Sequence, residues 1–140
     1  MISTTYDGAR RLARRAAALD GPGRPDLPRL FAFTDPQRTP DPLALARTLP
    51  SGCGLILRTF GRPHIAETAF DIARIARDRR LCLLIAADPD LALACGAQGV
   101  HWPQARLKDA KAWRRAFQIV SASSHDPSAA RQAIGLADLV

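Results

Sequence analysis

The sequence predicts an α/β chain built on a parallel β-sheet, on three observations. Short apolar runs of strand length alternate with segments of helical character. Asp-Pro pairs open three of the helical segments (Asp41-Pro42, Asp88-Pro89 and Asp126-Pro127), with Asp as N-cap and Pro at the first helical position. The run Leu81 to Ala86 is apolar at every position, as a parallel strand covered on both faces requires. Repeated strand–helix units of this kind give parallel sheets with right-handed crossovers. A doubly wound sheet and a (β/α)8 barrel both satisfy the pattern.

The elements follow in order. An Arg-rich stretch, Asp7 to Leu19, predicts a basic helix with Leu12, Ala16 and Leu19 on its inner side. Leu30 to Thr34 is the first strand, and the helix after Asp41 runs to about Thr48. Gly54 to Arg58 is the second strand. The next helix begins near His64, with Ile65, Ala69, Ile72 and Ala76 spaced as an apolar helical stripe. Leu81 to Ala86 is the third strand, and Gly96 ends the helix behind Asp88. Gly99 to Trp102 is the fourth strand, stopped by Pro103. A helix from Leu107 to about Arg115 leads to a fifth strand, Phe117 to Ala122. The helix behind Asp126 is closed by Gly135, and Ala137 to Val140 begins a sixth strand. The two segments Asp88–Val100 and Asp126–Val140 share one plan: a capped helix, a glycine, then a strand.

At 140 residues the chain is one domain's worth of sequence, and its 47% apolar and 24% charged content is that of a globular protein. The net charge of +7 is concentrated in Arg10, Arg11, Arg14, Arg15, Arg24 and Arg29. That segment lacks interleaved aromatics and any helix-turn-helix or RNA-binding signature, so it reads as a solvated face and not as a nucleic-acid site. Cys53, Cys82 and Cys95 form no C-x-x-C pair and read as buried apolar side chains in a reducing compartment. No apolar run spans a bilayer and no hydrophobic signal core opens the chain, so no membrane partner is expected and a cytoplasmic location is.

In parallel α/β folds the ligand site lies at the C-terminal ends of the strands. Here those ends carry Thr34-Asp35, Arg58, Asp88, His101 and Ser123/His125. These polar tips are expected to converge on one mouth.

The order FTDP, LILR, DPDLALACGAQGVHWPQ and SASSHDPSAARQAIGLADLV resembles the thiamine phosphate synthase family, which includes a thiazole tautomerase. The resemblance runs from about Leu30 to Val140, and its most specific block is Gly96-Ala97-Gln98-Gly99-Val100-His101. It implies a (β/α) TIM-barrel type fold, incomplete here with about six strands of eight. It divides the chain into a basic N-terminal helical extension, 1–27, and a partial barrel, 28–140. It implies that Arg58 helps hold a pyrimidine diphosphate, that His101 and Gln104 line the substrate pocket, and that Ser123 contacts phosphate. His125 matches the histidine that moves protons in the tautomerase branch, work suited to an imidazole with a pKa near neutrality.

The departures from the family pattern carry equal weight. Ile56 and Phe60 stand where the pattern has Gln and Lys. The resemblance implies magnesium held by two aspartates, but the positions are occupied by Ala87 and Arg106, with Asp88 one residue late. A hard cation needs oxygen ligands, so tight magnesium binding is not expected. The expected family reaction joins hydroxymethylpyrimidine diphosphate to thiazole phosphate and releases diphosphate. The alternatives are a metal-free acid/base enzyme acting through His125, and a truncated, non-catalytic family member. An unclosed sheet edge would favour self-association.

Overall fold

The structure, a computed structural model, describes residues 3–19, 21 and 24–140. Of the predicted extension 1–27, residues 1, 2, 20, 22 and 23 lie outside that set. Helix α1 (Ser3–Ala17) leads to β1 (Phe31–Phe33), α2 (Pro42–Thr48), β2 (Gly54–Leu57), α3 (Ile65–Arg79) and β3 (Cys82–Ala86). Then come α4 (Pro89–Cys95), β4 (Gly99–Trp102), a 3-10 turn (Gln104–Arg106), α5 (Leu107–Trp113), β5 (Ile119–Ala122) and α6 (Pro127–Ala133).

The three Asp-Pro caps form as the sequence predicts. Asp41, Asp88 and Asp126 accept hydrogen bonds from the backbone N–H of Ala44, Leu91 and Ala129 at 3.0, 2.9 and 2.8 Å. Each satisfies a helix-end donor that has no partner within its own helix. Gly96 closes α4 at φ 72°, the left-handed conformation that glycine adopts without penalty. In α3 the stripe of Ala69, Ile72 and Ala76 is fully buried.

All five strands are parallel and lie in sequence order, β1-β2-β3-β4-β5. A doubly wound sheet reverses direction at a switch point, and this sheet never does. It is also curled. The rings of Phe33 on β1 and His101 on β4 lie 5.3 Å apart, edge to face. In a flat sheet those strands would be ~14 Å apart, beyond the reach of two such side chains. Sequential order plus curl is the barrel type of α/β fold.

The two faces of the sheet are packed differently. Leu55, Leu57, Leu83, Ile85, Val100, Trp102 and Val120 point toward the helices and form the main core. The alternate residues point inward, where Ile56, Leu84 and Ile119 form a smaller cluster joined by Leu27, Phe31, Cys82 and Leu139. Gly99 is required on this wall, because a Cβ there would sit 1.7 Å from the Ile119 carbonyl oxygen. The three cysteines are free, and burial pushes the Cys82 thiol up to about 11, so it stays protonated at neutral pH.

Two sequence expectations need correction. Residues 137–140 do not form a sixth strand among the described residues. Leu139 makes one isolated parallel bridge to Ser121, and its carbonyl accepts from Ala122 N–H at 2.9 Å. A strand needs a run of paired residues, and here the ladder has only started. In α1, of the three residues expected inside, only Ala16 is buried, while Leu12 and Leu19 are 53% and 63% exposed. The helix docks through Ala13 and Ala16, a stripe of small side chains that allows close approach and leaves Leu12 on the flank. The segment that follows is anchored by Arg24, which pairs at 2.7 Å with Asp138. That buried carboxylate also meets Arg114 at 2.6 Å and the Val120 N–H at 2.8 Å.

Candidate functional site

Strand register builds the site. Phe33 is level with Ile56, Leu84 with Gly99, and Gly99 with Ile119. Two residues further along each chain come Arg58, Ala86, His101 and Ser121, with Ala86 paired to His101 and His101 to Ser121. Alternation along a strand puts this next level on the same inward face. A cleft of about 750 Å³ opens there, walled by Phe31, Phe33, Ile56, His101, Ser121 and Ser123.

His101 is the centre of the cleft wall. Its Nδ1 lies 2.8 Å from Ser121 Oγ and its Nε2 3.4 Å from Ser123 Oγ. The Phe33 edge closes a third side at an interplanar angle of 86°. Only 9% of the residue is exposed. Burial, and then the positive charge of Arg58, push its pKa down to about 4. At neutral pH the ring is therefore a neutral imidazole that can accept one hydrogen bond and donate another.

Arg58 follows β2 directly. Its N–H donates to Thr34 Oγ1 at 2.9 Å, which fixes the backbone between the β1 and β2 tips. Its guanidinium stacks over Phe60 at 4.2 Å and lies 4.0 Å from Asp35. Asp35 accepts from the N–H groups of Arg38 and Gln37, which hold its carboxyl below the usual carboxylate range. Arg58 lines a neighbouring recess of about 340 Å³ with Thr34 and Asp35, and its charge reaches His101 from there.

Gln104 and His125 form a second group at the rim. Gln104 Oε1 accepts the His125 backbone N–H at 2.7 Å, tying the turn after β4 to the loop after β5. The His125 side chain is exposed, and no hydrogen bond holds its ring among the described residues. Of the five residues singled out from sequence, His101 and Ser123 thus share the cleft, Arg58 adjoins it, and Gln104 and His125 pair at its edge. Ser121 and Phe33 complete the His101 environment without having been singled out. The signal for Ser121 was its place two residues before Ser123 on a strand of period two.

The positions that the resemblance assigns to magnesium ligands do meet in space, but not as ligands. The Arg106 guanidinium donates to the Ala87 carbonyl at 2.8 Å. Asp88, the nearest alternative, is engaged in capping α4. Among the described residues no group of three His, Cys, Asp or Glu side chains is placed to hold a metal. A guanidinium on the one available carbonyl is the wrong chemistry for a divalent cation, so these residues do not fit magnesium.

Comparison with known proteins follows the same lines. The sequence pattern of a family described as thiamine monophosphate synthase matches residues 31–138. The structure is similar to that of a thiamine phosphate pyrophosphorylase from Pyrococcus furiosus, with a TM-score of 0.64 and 21% identity. The match covers 79% of this chain and 56% of that one, so the chain spans little more than half the length of its structural relative. No curated protein matches the sequence. No helix among the described residues is long and apolar enough to cross a membrane. With the family pattern matched across most of its length and the barrel-type sheet in place, the chain belongs to the thiamine monophosphate synthase family.

Proposed function

We propose that the cleft binds a phosphorylated pyrimidine or thiazole, and that the chemistry it serves is the family reaction. In that reaction the thiazole nitrogen bonds to the pyrimidine methylene carbon as the carbon–oxygen bond to diphosphate breaks, and diphosphate leaves. The observation that carries the reading is His101, held neutral between Ser121 and Ser123 with the charge of Arg58 reaching it from the adjoining recess. A neutral imidazole and two hydroxyls suit an uncharged heteroaromatic ring, while Arg58 offers the planar fork that a phosphate takes. Ser123 lies beside His101 in the cleft, where its hydroxyl would meet a phosphate oxygen, and Gln104 ties the turn after β4 to the loop after β5. The test is to mix the chain with hydroxymethylpyrimidine diphosphate and thiazole phosphate and follow thiamine phosphate by chromatography. Product above the no-protein control, lost in Arg58→Ala, is the expected result. Failure of both compounds to bind would reject the reading.

A second reading rests on the Gln104–His125 bond, which holds the backbone of the loop after β5 that carries the exposed His125 ring. There it would move protons on a thiazole phosphate without a metal. His125→Gln would then abolish proton exchange of that compound, and equal exchange rates in variant and parent would reject the reading.

A further inference from the structure

At the C-terminal ends of β3 and β4 the protein supplies a cation of its own. Ala87 lies just past β3 at φ 56°, a conformation uncommon for a residue with a side chain. Its N–H donates to the His101 carbonyl at 2.9 Å, and its own carbonyl accepts from Arg106 Nη1 at 2.8 Å. Arg106 is fixed twice more. Its Nε donates to Asp109 at 2.8 Å, and its guanidinium carbon lies 5.1 Å from the centre of the Trp102 ring. Its side chain is 47% exposed, and Nη2 makes no hydrogen bond among the described residues. A guanidinium immobilised by three contacts, with donors left over, is arranged to receive an oxyanion. Unlike a metal it needs no free carboxylates around it.

We propose that this chain holds the diphosphate group of its ligand without a divalent cation, with the Arg106 guanidinium standing where a metal would otherwise sit. The proposal rests on the reading of the cleft as a site for phosphorylated ligands. Its geometry is local: the two positions that would have to carry acidic ligands are an alanine and an arginine, and they bond to each other. Arg58, whose charge reaches His101 from the neighbouring recess, gives the diphosphate a second cation.

The experiment is calorimetric titration of inorganic pyrophosphate into the full chain, once in EDTA and once in excess Mg²⁺. Affinities within about twofold of each other are expected, with a loss of about tenfold or more in Arg106→Gln, the size of one charge-assisted contact. Arg106→Lys keeps the charge and is expected to fall between the two, which separates a lost charge from a damaged fold. Binding that appears only with Mg²⁺ overturns the proposal and leaves the phosphorylated-ligand reading intact. Unchanged affinity in Arg106→Gln also overturns it. Metal-free pyrophosphate binding with no binding of the pyrimidine or thiazole phosphates sustains the proposal and rejects the reading of the substrate. Absence of binding in both buffers rejects both.

Discussion

Phe33 and His101, on strands three places apart, meet edge to face at 5.3 Å. The contact measures the curl of the sheet, and it also seals one side of the imidazole from water. Phe33→Ala should therefore admit solvent and raise the His101 pKa from about 4 toward its ordinary 6.5. Ring-proton chemical shifts followed against pH give the value directly. An unshifted titration in the variant would show that Phe33 contributes nothing to the desolvation.

The depressed His101 pKa makes stability depend on pH. Between 6.5 and about 4 the unfolded chain takes up a proton that the folded chain refuses. Stability is therefore full above pH 6.5 and declines as pH falls toward 4, by up to about 3 kcal/mol from this group. Urea unfolding of the parent and of His101→Gln at pH 7 and pH 4.5 isolates the contribution. The parent should lose more than the variant on acidification, and equal losses would assign the effect to other groups.

Asp138 is a buried carboxylate shared by Arg24, Arg114 and the Val120 N–H. Asp138→Ala would leave the amide and a half-buried guanidinium without their acceptor, at a cost of about 2–4 kcal/mol. Arg24→Ala removes a more exposed, solvent-screened partner and should cost clearly less. Denaturant midpoints order the two variants, and the reverse order would refute the assignment of Asp138 as the anchor.

Gln104→Ala frees the His125 amide and should quicken its hydrogen exchange while changing stability by about 1 kcal/mol. The amides of β4 and β5 should keep their protection, since their ladder is untouched. Exchange that is unchanged at His125 would mean that the rim is held by other contacts.

What could be read from the sequence was what local chemistry decides. An aspartate before a proline caps a helix whatever packs on it, so Asp41, Asp88 and Asp126 were legible, as was the buried stripe of α3. The exposure of Leu12 was not legible, because which face of α1 docks depends on the surface that receives it. Residues 137–140 carry strand-like residues, yet a strand exists only by pairing, and a single bridge, from Leu139 to Ser121, is all they make to β5. In the site, His101 was visible as a polar residue closing an apolar strand. Ser121 was marked only by its place two residues before Ser123, since a serine in a strand announces neither burial nor a partner until register sets it opposite His101. Arg106 was visible as a departure from the family pattern. Its partner, the Ala87 carbonyl, is a backbone group that no sequence pattern points to.

If the cleft serves phosphorylated ligands, they bind on the inward face at the strand tips, with His101 at its middle. The most direct measurement is a titration of labelled protein with hydroxymethylpyrimidine diphosphate, following the His101 ring and the Ser121 and Ser123 amides by NMR. These signals should shift together and saturate at one ligand per chain, with Arg58→Ala weakening the affinity about tenfold or more through loss of a charge-assisted contact. Shifts confined to α1 or to the outer helices, with the His101 ring unmoved at saturation, would contradict it.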